Sequence, residues 1–269
     1  MPYFFRGLLI GLALAGFAGG LFYKIYHCNS CSKKSCDTQT NLDEKKIEDL
    51  VINLVKNKPE EFSKAISEGA KKQEEHLRLE MINKAKSMTD KILKTGFCFG
   101  NPSSKIKLIA FVDPACPHSN SFLKIGFKLL DSGKDFRLQI ISGSILGEKS
   151  VVLNRTLILV KNQGLEKLKN FWQKLIELED DVQESDVNLL FKETGVDKKK
   201  VEQDINKNEI VDEIKASNSL LDEIGIPGVP MVFLIDAKGN LDMVPPSSFE
   251  EFLELIDNAK TGINKDETL

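Results

Sequence analysis

The sequence is poor in several residues that would signal a function. It has three histidines, His27, His76 and His118, too few for a site built from several histidine ligands. It has no excess of basic charge: Lys plus Arg is 37 against 40 for Asp plus Glu, a formal charge of -3. A nucleic-acid partner is therefore not expected. No internal repeat or low-complexity segment is present, and no second long apolar run follows the one near the amino terminus. Collagen-like, disordered and polytopic membrane classes are excluded. Cysteine is scarce and odd in number: Cys28, Cys31, Cys36, Cys98 and Cys116. At least one thiol is left over from any internal pairing. What remains, over 269 residues, is 41% hydrophobic and 29% charged, the balance of a chain that is globular for most of its length.

Residues 7–23 (GLLIGLALAGFAGGLFY) are uncharged and lie between Arg6 and Lys24. As a helix they span roughly 26 Å, near the lower limit for crossing a bilayer. The expected role is a signal-anchor. The rival is a cleaved signal peptide with an A-x-A-like site at Ala13-Leu14-Ala15, although the apolar run continues past it. Arg6 and Lys24, Lys33 and Lys34 pull in opposite directions, so loop charge leaves the orientation open.

Residues 27–42 are polar and lack either period. They read as a linker holding three of the five cysteines. Cys28-x-x-Cys31, Cys36 and the adjacent His27 leave three readings: a zinc site, a local disulfide or auxiliary redox pair, or no special role. The set lacks the second C-x-x-C of a strong zinc motif, and no metal or cofactor is assigned.

Asp43 is a plausible N-cap for a helix carrying Ile47, Leu50, Val51, Leu54 and Val55. Pro59 breaks the pattern and opens a longer helix. Its narrow stripe runs through Phe62, Ala65, Ile66, Gly69, Ala70, Leu77, Met81, Ile82, Ala85, Met88, Ile92 and Leu93. Such a stripe needs a partner, either the following domain or a second subunit. Residues 43–94 are thus a candidate self-association segment.

Residues 96–104 read as a turn-rich joint. From 105 to 113 the run is apolar and β-branched, fit for a buried strand. Residues 114–119 form an elbow, 122–130 a helix and 136–142 a second strand, so the two strands are expected to be parallel neighbours. A helical insertion covers about 146–224. Strands at 231–235 and 241–244 flank a hairpin turn at 237–240. Ser247, with Glu250 three residues on, is expected to cap the last helix. The expected organisation is an anchor at 1–26, a linker at 27–42, a helical stalk at 43–95, an α/β domain at 96–262 and a polar tail at 263–269.

The elbow holds the chemistry. Cys116 lies where a strand hands over to a helix, and Pro117 suits the first helical position. Free backbone N–H groups and the positive end of the helix dipole then face the sulfur, and His118 can add charge or a hydrogen bond. These effects favour a thiolate, the attacking form. The bland alternative is a buried structural cysteine.

Gly100-Asn101-Pro102, the strand ending at Asp113, Cys116-Pro117-His118 and Gly228-Val229-Pro230 stand in the order and spacing of a known family. The stretch from 95 to 260 resembles the DsbA-like thioredoxin-fold thiol-disulfide oxidoreductases. The resemblance implies a thioredoxin-like α/β fold with a helical insertion. It implies a cis proline at Pro230, with Val229 beside the thiol offering backbone groups to a substrate chain. It implies catalytic roles for Cys116, His118 and Ser119, and a substrate-contacting role for Pro117. It also implies client proteins that carry cysteines in an oxidising compartment. That would place the chain on the inner membrane facing the periplasm, or free in the periplasm if the leader is cleaved.

This sequence departs from the family pattern at Ser119, which replaces the second cysteine of Cys-x-x-Cys. Three readings follow. In the first, Cys116 acts alone as a monothiol oxidoreductase or isomerase, since exchange needs only one enzyme sulfur. In the second, a resolving thiol arrives from Cys28, Cys31, Cys36 or another subunit, since strand rise puts Cys98 roughly 25 Å away. Or the fold binds clients without redox chemistry. A hydrogen bond from Ser119 to the Cys116 thiolate is still open to this sequence, so nucleophilicity need not suffer. Asn154-Arg155-Thr156 fits a glycosylation triplet but falls on an expected helix.

Overall fold

The structure, a computed structural model, describes residues 44–178, 182–245 and 247–262. The expected anchor, the cysteine linker, Asp43 and the polar tail lie outside the described residues. Among the described residues no helix is long and apolar enough to cross a membrane. The chain divides into two compact units, one ending at Ile66 and one starting at Ser67.

In the first unit, α1 (Glu44–Asn57) carries the apolar set read from the sequence. Lys58 joins it to α2 (Pro59–Ser87), donating its N–H to Leu54 O and accepting from Phe62 N. Pro59 is tolerated here because the first helical position needs no N–H.

The second unit takes the rest of α2 and then α3 (Thr89–Lys94). A five-stranded sheet follows, with β1 (Phe97–Gly100), β2 (Lys107–Val112), β3 (Arg137–Ser142), β4 (Met231–Ile235) and β5 (Leu241–Val244) in the order β1-β3-β2-β4-β5. Strands β2 and β3 are parallel and the other pairings antiparallel. Helix α4 (Pro117–Asp131) makes the crossover between β2 and β3. The insertion is five helices: α5 (Glu148–Lys161), α6 (Leu165–Leu175), α7 (Glu184–Glu193), α8 (Lys198–Asp204) and α9 (Asn208–Ile224). Helix α10 (Phe249–Thr261) closes the fold.

Strand periodicity splits the core between the two faces of the sheet. Leu108, Ala110 and Val112 join Leu138, Ile140 and Val232 in a cluster with α4, α10 and the insertion, around Phe171 and Trp172. Ile109 and Phe111 join Ile141, Phe233 and Ile235 in a second cluster with Ala85, Ile92 and the end of α9. Each fully buried side chain of this size contributes about 1.5–3 kcal/mol, so both faces carry stability and neither is a free surface.

Three expectations are corrected. The joint at 96–104 contains a strand, β1, paired Phe97↔Ile140 to Gly100↔Arg137. Phe97 stands edge-on to Trp172 at 5.0 Å and Phe99 to Phe127 at 5.4 Å. The four residues Phe97–Gly100 are too few to show a period, and burial of the two rings decides the conformation. The long stripe breaks at Met88, between α2 and α3. Its carboxy-terminal part, Met81, Ile82, Met88 and Leu93 with Ala85 and Ile92, packs on the sheet of its own unit. The last helix is capped one residue later than expected. Ser248 accepts from Glu251 N and donates its own N–H to the Glu251 carboxylate, while the Ser247 hydroxyl donates to Pro245 O. Consecutive Ser-Ser and Glu-Glu pairs hide that one-residue shift in the sequence.

Candidate active site

Strand β2 ends at Val112, and Asp113 turns the chain. Its Oδ1 accepts Ala115 N at 2.8 Å, and its carbonyl accepts Cys116 N at 3.0 Å. Cys116 then takes extended backbone angles as the N-cap of α4, with Pro117 in the first turn. Its carbonyl accepts Asn120 N, the first helical bond. The sulfur therefore sits at the end of a 15-residue helix whose dipole favours negative charge there. The first turn of α4 has no acidic residue to oppose this.

Cys116 is 7% exposed. It donates to the carbonyl oxygen of Val229 at 3.7 Å. The Val229-Pro230 peptide is cis, as the resemblance implied, and it is the only cis bond among the described residues. Two segments 113 residues apart thus meet at the sulfur.

The other expected site residues divide. Pro117 and His118 are exposed beside the thiol, and no hydrogen bond joins His118 to Cys116. Ser119 is fully buried. Its hydroxyl oxygen accepts the Asp113 N–H at 3.2 Å, so it ties the helix to the strand end. The bond from Ser119 to the Cys116 sulfur that the sequence left open is absent from the structure. Ser119 lies on the helix's inner face, where its neighbour is the strand rather than the N-cap side chain.

Sequence reasoning missed the support beneath the elbow. Asp113 is fully buried, and its Oδ2 accepts Ile145 N at 2.8 Å and Leu146 N at 3.1 Å. One carboxylate thus holds both the elbow and the loop after β3. Asn154, buried on α5, donates to Gly143 O and Ser144 Oγ, each at 2.8 Å. Asn218 accepts Ser144 N at 2.8 Å. The only signal for Asp113 was a carboxylate ending an otherwise apolar strand. Asn154 and Asn218 gave none. Burial of Asn154 in α5 also removes the glycosylation triplet from consideration.

Cys98 lies opposite Gln139, and Gln139 opposite Ile109, so two strand spacings, about 10 Å, separate Cys98 from β2 at a point well before the elbow. A disulfide needs Cα atoms within about 7 Å. Burial pushes the Cys98 thiol up, against a smaller opposing pull from Arg137. Among the described residues no group of three His, Cys, Asp or Glu side chains is placed to hold a metal. Cys28, Cys31 and Cys36 lie outside the described residues.

A family model described as a DSBA-like thioredoxin domain matches residues 107–256, from the first residue of β2 into α10. The chain belongs to this DSBA-like family. Solved structures similar to it include Salmonella enterica Typhimurium BcfH, 17% identical, with TM-score 0.67 over 81% of this chain and 96% of that one. Proteus mirabilis ScsC is 17% identical, with TM-score 0.59 over 82% and 98%. The Wolbachia pipientis thiol-disulfide exchange protein alpha-DsbA2 is 19% identical, with TM-score 0.59 over 66% and 95%. At these identities the shared feature is the fold. No curated protein matches the chain. DSBA-like members are generally thiol-disulfide oxidoreductases, and the cysteine at the helix start is where such chemistry would reside.

Proposed function

We propose that this chain carries out thiol-disulfide exchange on protein clients, with Cys116 as its single reacting sulfur. The observation that carries this reading is the contact of Cys116 Sγ with Val229 O at the start of α4. A thiolate at that N-cap attacks one sulfur of a client disulfide. A mixed disulfide forms and the second client sulfur leaves as a thiolate. The backbone at Val229 would hold the client segment as an edge strand does.

Ser119 offers no second sulfur, and Cys98 is out of reach. Release therefore falls to another thiolate: one from the client, a small thiol, or Cys28, Cys31 or Cys36. A client or small thiolate attacks the client sulfur of the mixed disulfide and Cys116 leaves as thiolate, whereas Cys28, Cys31 or Cys36 would attack Cys116 Sγ, forming a disulfide within the chain and releasing the client sulfur as thiolate. With a client thiol the net result is isomerisation, with no net oxidation. The chemistry belongs to an oxidising compartment, which supports a periplasmic location and, if residues 7–23 are retained, an inner-membrane anchor. Clients would be secreted or periplasmic proteins with cysteines, and a separate redox partner would reset the sulfur.

Refolding of scrambled-disulfide protein tests this reading. The full chain should accelerate recovery and form a trappable mixed disulfide, and Cys116→Ala should do neither. Equal rates for the two proteins, with no adduct on Cys116, would sink it. The near-complete burial of Cys116 and the missing second sulfur favour one alternative, a client-binding protein without redox activity. Equal suppression of client aggregation by both proteins, with no exchange by either, would select that alternative.

A further inference from the structure

Methionine is concentrated at one place in the fold. The chain has five, and apart from Met1, which lies outside the described residues, all of them belong to the cluster on the second face of the sheet. Met81, Met88, Met231 and Met243 are each partly exposed, whereas the interior of that cluster, Ile92, Ile109, Phe111 and Phe233, is fully buried. The larger cluster on the first face holds no methionine among the described residues. A methionine that only fills a gap in a core has no reason to avoid the interior of both clusters. These four form a rim that solvent reaches.

Two of the four come from the helical segment and two from the sheet. Met81, Ala85 and Met88 fall one above another at helical spacing. Met88 N donates to Lys84 O and its carbonyl accepts Ile92 N, so the face carries on into α3. Met231 stands opposite Phe111 across β2 and β4, and Met243 stands opposite Phe233 across β4 and β5. The two rings are themselves edge-on, 5.8 Å apart. Cross-strand neighbours on one face lie within side-chain reach, which suits contact between thioether and ring. Arg78–Asp242 before the rim and Lys91–Glu223 after it are surface ion pairs, which contribute little. The helices are therefore held on the sheet chiefly by apolar contact.

We propose that this rim is an oxidant-responsive modification site, at which a peroxide converts the four thioethers to sulfoxides and loosens residues 81–94 from the sheet. In each event the thioether sulfur attacks one peroxide oxygen. The O–O bond breaks, an S–O bond forms and water leaves; sulfur is oxidised by two electrons and the peroxide is reduced by two. The sulfoxide is polar and chiral. Its oxygen needs a hydrogen-bond donor, and the side chains of Phe111, Phe233 and Ile109 offer none, so the oxidised side chain turns to water and gives up its contact. A sulfoxide reductase reverses the change. The site is separate from Cys116 and needs no exchange activity there.

The test is hydrogen peroxide treatment of the full chain in detergent, followed by peptide mass mapping and amide hydrogen exchange. Met81, Met88, Met231 and Met243 should each gain one oxygen at a rate within about tenfold of free methionine. Exchange at 81–94 should then rise roughly tenfold, while residues 153–160 on the first face keep their starting rates. Sulfoxide reductase should return exchange at 81–94 to where it began. Met81→Leu, Met88→Leu, Met231→Leu and Met243→Leu together keep the volume and take up no oxygen, so peroxide should leave exchange at 81–94 unchanged in that variant. If it fails to fold, recovery of the wild type by the reductase still decides. Methionines that stay unmodified until the chain unfolds overturn the site. Oxidation with unchanged exchange at 81–94, no recovery after the reductase, or the same peroxide response in the leucine variant overturns the loosening.

Discussion

Replacing Ser119 by cysteine asks whether the elbow is built for two sulfurs. Ser119 is fully buried, and its oxygen accepts the Asp113 N–H. Sulfur is a weaker acceptor, so most of one hydrogen bond is lost, about 0.5–1.5 kcal/mol. Sulfur is also larger, and overpacking at a close-packed site costs about 1 kcal/mol or slightly more. The reduced variant should therefore be less stable than wild type by about 1.5–2.5 kcal/mol. Residues three apart on a helix are neighbours, so Cys116 and the new thiol can meet. Closing so short a loop restricts the denatured chain by about 2 kcal/mol in the entropy model. Oxidation should then bring stability back to within about 1 kcal/mol of wild type. Urea unfolding with and without reductant measures both numbers. Mass analysis of the fragment containing both residues shows the loss of two hydrogens, and insulin reduction should rise above the wild-type rate. A folded variant whose two thiols both stay free under oxidising conditions would refute the reasoning, because the two positions would not then face one another.

Three more outcomes follow from the supports of the site. Asp113→Ala leaves three N–H groups without their acceptor. Because Ile145 and Leu146 can turn to water, the expected cost is about 2–4 kcal/mol, with faster amide exchange at Ile145 and Leu146; a loss below about 1 kcal/mol in urea unfolding would contradict it. Gly96 has φ +82, and a Cβ there would lie 2.2 Å from Ile140 O, so Gly96→Ala should cost about 3 kcal/mol or more; a near-native melting temperature would argue against β1 packing as described. At the β4–β5 turn, burial raises the Asp236 carboxyl, but hydrogen bonds from the Asn240 side chain and the N–H groups of Asn240 and Lys238 outweigh it and hold it below its usual value. That contribution is whole above the unfolded value of about 3.9 and is lost as pH falls through the lower folded value. Asp236→Asn should therefore lose less stability than wild type as pH falls from about 4 through the lower folded value, and equal losses would discount the turn.

The sequence by itself determined whatever rests on local chemistry. The unbroken apolar run of the first parallel strand, the crossover helix after it, proline in the first turn after Cys116, and the hairpin at 237–240 are all properties of a few consecutive residues. That was enough to show the α/β order and to single out Cys116, while the resemblance to the family marked Ser119 as the missing second sulfur. Tertiary structure decided what depends on residues far apart in the chain. Phe97–Gly100 became a strand because Trp172 and Phe127 receive its two rings. Asp113 became the post of the elbow because a loop 32 residues on brings its N–H groups there. Ser119 turned to the strand rather than to the sulfur, since a helix's inner face looks onto the sheet. The contact of Cys116 with Val229 and the split fate of the apolar stripe have the same origin. Periodicity says which face of a helix is apolar. Only the packed fold says whether that face is already covered.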